Sequence, residues 1–174
     1  MKYGLVVVWA VVLTSLFSCE GKQSEDSSKP KNLGKEELID RNKDIVVQEN
    51  QRIEAFISRR NWPMKSSGTG LRYWIMEEGT GDSVRTGDVI AVNYEISLLD
   101  GTVCYSSDEN KPEHFKVGMD QVESGLHEGV TYLKVGDRAR FILPPHLAHG
   151  LAGDMNKIPP RSTLIYDIRI VSKS

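Results

Sequence analysis

The sequence predicts an α+β fold, and three observations carry that prediction. Residues 35–61 contain no glycine or proline and repeat their apolar side chains at helical spacing. From Thr69 onward the repeat drops to two, the period of strands. Inside that second region only residues 122–133 read as a helix, and a short one. The expected architecture is an antiparallel sheet wrapped around one short helix, with an amphipathic helix in front of it.

Composition fits that expectation. At 174 residues the chain has room for one domain of ordinary size plus an appendage. With 39% hydrophobic and 26% charged residues it has the balance of a globular protein. A net charge of −2, with basic residues scattered among acidic ones, gives no electrostatic case for nucleic acid as a partner.

The first residues read as an address rather than as fold. Lys2 is followed by an apolar run over residues 5–17, short for a bilayer span, so residues 1–18 read as a signal peptide. Leu16-Phe17-Ser18-Cys19 resembles a bacterial lipobox, which implies Cys19 as the first mature residue, lipidated and anchored to a membrane. Residues 19–34, rich in Ser, Lys, Glu and Asp, read as a disordered tether. Cys104 is the other cysteine; with Cys19 acylated no intrachain disulfide is possible, and its apolar neighbours point to a buried, inert thiol.

The first helix is expected over residues 35–62. Its stripe is Leu38, Ile39, Ile45, Val46, Ile53, Phe56 and Ile57. Trp62-Pro63 ends it, because a residue before proline avoids the α region. The stripe is expected to pack on the following domain; the alternative is a dimer or partner contact through this helix. Leu71, Tyr73 and Ile75 then mark a strand, and a glycine-rich turn follows at residues 78–82. A turn at Thr86-Gly87-Asp88 leads to a strand over 89–98, and Asp100-Gly101 signals a hairpin into 102–106. Residues 115–118 form a short strand. Gly125 and Gly129 weaken the helix expected over 122–133. Gly136-Asp137 turns into strand 138–143, which places Ala139, Phe141 and Leu143 on one face. Pro144-Pro145 and Pro159-Pro160 are rigid turns, and residues 163–171 close the sheet.

Four stretches, taken in order and spacing, carry a resemblance. They are VIAVNYEISLLDGTVCYSS (89–107), GLHEGVTYLKVGDRARFILPP (125–145), HLAHGLAG (146–153) and KIPPRSTLIYDIRIV (157–171). Together they resemble the FKBP-type peptidyl-prolyl isomerase domain, from about residue 69 to 174 with its core at 87–174. The resemblance implies rotation about X–Pro amides in proline-containing polypeptides, with no cofactor and no metal. It implies a pocket walled by Tyr94, Val122, Leu126, Ile158 and Tyr166, with the backbone N–H of Glu123 meeting a substrate carbonyl.

Departures from the family pattern are equally specific. His149 stands where a tyrosine is usual. Tyr105 stands where an aspartate is usual, and Cys104 where its phenylalanine neighbour is; this swap is expected to remove the acidic group inside the pocket. Ungapped, the match puts Glu113 opposite a pocket aromatic, whereas a slip of two puts Phe115 there. His146 and His149 are three apart, but no Cys or carboxylate at ligand spacing completes a metal site. The departures also raise an alternative: a non-catalytic chaperone or assembly module on the same fold. With the lipobox, tether and helix, the stretches FISRRNWPM (56–64) and GTGLRYWI (68–75) resemble gliding-motility-associated FKBP-type lipoproteins of Bacteroidetes. That likeness implies a cell-envelope protein held at a membrane, the outer one, with the domain on the periplasmic or surface side.

Overall fold

The computed structural model describes residues 34–174. The signal peptide, the lipidation site Cys19 and nearly all of the tether lie outside the described residues.

Helix α1 spans Lys35–Arg60, with Glu36 and Glu37 in its first turn and Arg59 and Arg60 in its last, each complementing the helix dipole. Asn61 stops it in the left-handed region (φ 52°), a conformation asparagine tolerates. Seven strands follow: β1 (Lys65–Ser66), β2 (Arg72–Glu77), β3 (Val89–Leu98), β4 (Val103–Ser106), β5 (Glu113–Lys116), β6 (Arg138–Leu143) and β7 (Leu164–Lys173). Helix α2 (Ser124–Val130) lies between β5 and β6, and a 3-10 turn covers Pro145–Leu147. The strands form one sheet in the order β1-β2-β6-β7-β3-β4, every pair antiparallel. Strands β5 and β4 share the free edge of β3, β5 on Val89–Val92 and β4 on Glu95–Ser97.

Alternation along the strands sends side chains to opposite faces. Phe141, Leu143, Leu164, Tyr166 and Ile168 join Leu126 and Val130 of α2 in the main core. The other face of the same strands carries Ile142 and Ile165, which pack with Ile53, Phe56 and Ile57 of α1. The two helices therefore cover opposite faces of the sheet. Helix α2 sits close because its inward positions are glycines: a Cβ on Gly129 would lie 2.7 Å from the Phe141 ring, and one on Gly125 2.8 Å from Leu143.

Polar contacts fix where α1 docks. The Arg72 side chain of β2, only 8% exposed, donates to Glu54 at 2.9 Å and Asn50 at 3.4 Å, and also to the Gly70 carbonyl. Thr163 donates to Glu49. Trp62 meets Phe56 edge-on at 5.5 Å and takes the Arg140 guanidinium over its ring at 4.4 Å. The expectation that the whole stripe of α1 packs on the domain is corrected. Burial begins at Ile53, whereas Leu38, Ile39, Ile45 and Val46 are between 37% and 50% exposed. The helix simply runs past the edge of the sheet that its second half covers.

Candidate active site

On the inner face, a hollow of about 300 Å³ opens between β3, β5, β7 and the N-terminal end of α2. That is the low end of the ligand-pocket range, enough for one ring and its flanking amides. Register builds its back wall: Tyr94 of β3 pairs with Ile168 of β7, and Ile96 with Tyr166. The Tyr94 and Tyr166 rings meet at 6.4 Å between centroids. Tyr166 is only 2% exposed; burial first, then the Glu123 carboxylate, push its hydroxyl far above the ordinary phenol range. Burial and a 3.0 Å hydrogen bond to Glu113 push Tyr94 up to about 12. Both phenols stay neutral at any physiological pH.

The strand β5 resolves the Glu113/Phe115 alternative by including both. They are two apart, so they share a face, and both line the hollow. Phe115 is buried against the His127 ring at 5.9 Å; Glu113 is exposed and receives the Tyr94 hydroxyl. Val122, Glu123 and Leu126 form the side next to α2. The helix starts at Ser124 rather than 122 because Glu123 is extended (φ −61°, ψ 140°). That backbone turns the Glu123 side chain inward, where it is 11% exposed and meets His149 Nε2 at 2.8 Å.

Tyr105 lines the hollow and donates its hydroxyl to Asp154. Asp154 also accepts the backbone N–H groups of Asn156 at 2.9 Å and Ile158 at 2.7 Å. The Tyr105 bond is the largest of the forces that hold its carboxyl down, to about 2. In return, the same bond raises Tyr105.

Two expectations need correction. Ile158 is buried in the core and is absent from the lining of the hollow; its N–H and carbonyl instead tie down the Asp154 loop. The Tyr105 swap does not empty the hollow of acid, because Glu113, Glu123 and Asp154 all line it. The sequence reading also passed over Val92, Ile96, Ile168, His114 and Asp154. Strand alternation from Tyr94 signals the first two. For Asp154 only a weak Asx-turn pattern exists in the sequence.

Other features lie away from this chemistry. Cys104 is buried, and burial raises its thiol above the ordinary value, which favours the unreactive protonated form. His146 meets the Thr69 carbonyl at 2.9 Å and so works as a tie between loops. A larger cavity, about 680 Å³, lies over the outer sheet face among Asn93, Arg138, Asp167 and Arg169. Its basic groups are already matched, Arg138 to Asp167 at 2.9 Å and Arg169 to Glu77 at 2.5 Å, and apart from Tyr94 its lining is polar or charged. The inner hollow is therefore the better site.

Comparison with known proteins agrees with this geometry. The profile of the FKBP-type peptidyl-prolyl cis-trans isomerases matches residues 81–171, more than half the chain. The chain belongs to the FKBP-type peptidyl-prolyl cis-trans isomerase family. Among relatives of this FKBP-type domain, the isomerase FkpA of Escherichia coli K12 is 35% identical over 108 residues, 62% of this chain and 39% of that protein. FK506-binding protein 2 of Yarrowia lipolytica is 38% identical over 104 residues, 59% of this chain and 72% of that one. The crystal structure of Escherichia coli FkpA superposes with a TM-score of 0.61 at 27% identity, covering 82% of this chain and 74% of that one. The matched region thus spans about two fifths of the FkpA sequence.

Proposed function

We propose that this chain is a peptidyl-prolyl cis-trans isomerase acting on proline-containing polypeptides. The observation that carries the proposal is the inner hollow itself, with Tyr94, Phe115, Val122, Leu126 and Tyr166 converging on a space of ring size. The uncatalysed barrier, about 18–20 kcal/mol, exists because amide resonance gives the C–N bond double-bond character. Twisting the bond removes that resonance and leaves a less polar group. A cavity walled by rings excludes water from the amide and so favours the twisted state over the planar one. Within the described residues the Glu123 backbone N–H makes no main-chain hydrogen bond, which leaves it free for a substrate carbonyl. Each 1.4 kcal/mol by which the twisted state gains over the planar one is worth about tenfold in rate. The test is cis–trans exchange of a short X–Pro peptide with the full chain in detergent micelles. Exchange faster than in buffer alone supports the proposal, and background exchange by a folded protein defeats it.

One observation favours a second reading, a chaperone or assembly module with little turnover. His149, which lines the hollow where the family pattern has a tyrosine, is already engaged with Glu123. Releasing that histidine by Glu123→Gln should raise turnover if the pair restrains it. Suppression of aggregation of an unfolded client, with exchange at background in both proteins, would support the second reading.

We place the protein in the cell envelope, anchored at a membrane through Cys19, with folding envelope proteins as clients. The apolar run ending in Leu16-Phe17-Ser18-Cys19 supports this reading. Cys19→Ala should move the protein from the membrane fraction to the soluble one; retention in the membrane fraction would count against it. The exposed apolar residues on the first half of α1 support self-association through that helix. Sedimentation of the full chain against a Leu38→Lys/Val46→Lys variant tests it, and equal masses would refute it.

A further inference from the structure

We propose that the hollow prefers prolyl bonds flanked by lysine or arginine, and that Glu113 and Asp154 set this preference. The inference rests on the isomerase reading and names the substrate class of that same site. The hollow, not the acids, is the binding feature. Its apolar wall takes the ring, so the residues on either side of proline must cross its rim, where the carboxylates stand.

The two carboxylates share a property that Glu128 and Asp137 also have, but away from the hollow. Each is held in place by neutral donors rather than by a cation. Glu113 receives the Tyr94 hydroxyl at 3.0 Å, and Tyr94 stays protonated. Asp154 receives the Tyr105 hydroxyl and the backbone N–H groups of Asn156 and Ile158. Neither is in an ion pair among the described residues, whereas the exposed Glu77 and the half-buried Asp88 each have a basic partner. Both Glu113 and Asp154 line the hollow. Their charge is therefore fixed in geometry and unmatched where a substrate arrives.

The opposing groups are few. His149 is matched by Glu123 at 2.8 Å. His114 lies beside Glu113 on the lining. Lys157 rests its ammonium over the Tyr105 ring at 5.0 Å and is not on the lining. The negative balance is local, since the whole chain carries only −2. A cationic side chain beside the proline would pair with a carboxylate that the protein leaves without a cation. An acidic one would meet repulsion, and a leucine neither.

The test compares peptides Ala-Lys-Pro-Phe, Ala-Leu-Pro-Lys, Ala-Leu-Pro-Phe and Ala-Glu-Pro-Phe, using the full chain in neutral detergent. At about 20 mM salt the better of the two lysine peptides should exceed the all-apolar peptide in kcat/KM by about three- to tenfold. The glutamate peptide should be the slowest. The lysine advantage should shrink toward one at about 500 mM salt, where exposed charges are screened. Glu113→Gln and Asp154→Asn should each lower the lysine-to-leucine ratio by about two- to threefold. Neither lysine peptide surpassing the apolar one at low salt overturns the inference, as does a ratio that both substitutions and salt leave unmoved. If no peptide is turned over, the isomerase reading fails instead. Calorimetric affinities of the same peptides then decide, with the same order expected and equal affinities overturning the preference.

Discussion

Replacing Gly129 with alanine sets two effects of known sign against each other. In an exposed helix the change would stabilise by about 1 kcal/mol, because glycine gives up more chain freedom. Here the added Cβ would lie 2.7, 2.9 and 3.0 Å from three atoms of the Phe141 ring. Carbon atoms prefer about 3.5–4.0 Å, so the helix or the ring must move by about 1 Å. Phe141 is fully buried, so the ring has no free space to enter. Overpacking of this kind costs about 1–3 kcal/mol, and the net expectation is a loss of about 1 kcal/mol. For a domain of roughly 140 residues that lowers the melting temperature by about 3 °C. The decisive control is the same substitution in a Phe141→Leu background, where the ring edge is gone. There Gly129→Ala should become neutral or stabilising, a reversal read from urea midpoints at constant m-value. The displaced helix also carries Leu126 on the hollow, so peptide exchange should fall in the single variant and partly recover in the double. A stabilised single variant, or the same destabilisation in both backgrounds, would refute the packing argument.

Further expectations follow from the loops and from α1. The Asp154 carboxyl sits at about 2 in the fold against an ordinary 3.8, so its bonds stabilise above about pH 4 and are lost as pH falls toward 2. The stability gap between wild type and Asp154→Asn should be full at neutral pH and close over that window; a gap independent of pH would contradict the assignment. Arg72→Met removes the guanidinium that Glu54, Asn50 and the Gly70 carbonyl share. It should cost about 1–3 kcal/mol and raise amide exchange across residues 49–60 more than in α2. Uniform exchange across both helices would show that the contact does not hold α1 to the sheet.

The extent to which the molecule is legible in its sequence depends on how local each feature is. Helix α1 and strands β3 and β6 follow from periodicity, which neighbouring residues set. The two-residue strand β1 does not, since only its pairing with Tyr73 and Arg72 defines it. A helical stripe shows that α1 has an apolar face but not what covers it, so the exposed half from Leu38 to Val46 was unreadable. The same limit explains the site. Tyr94 and Phe115 on strands, and Leu126 on α2, sit on elements whose alternation or spacing points them inward. Asp154 enters the hollow through a bond to Tyr105, 49 residues away, and no local pattern encodes that partner. Counting the aspartate lost near Cys104 therefore gave the wrong acidity, because the fold brings carboxylates from other loops. Ile158 failed for the reverse reason: its backbone, not its side chain, serves the loop.

The most direct test of the account is catalysed cis–trans exchange of Ala-Leu-Pro-Phe by the full chain and by a Val122→Trp variant. Val122 is only partly buried and lines the hollow, so the indole should fill that space while sparing the core. The account predicts exchange well above background for the wild type and background for the filled variant, with equal circular dichroism. Background exchange by the wild type, or undiminished exchange by a folded Val122→Trp protein, would contradict it.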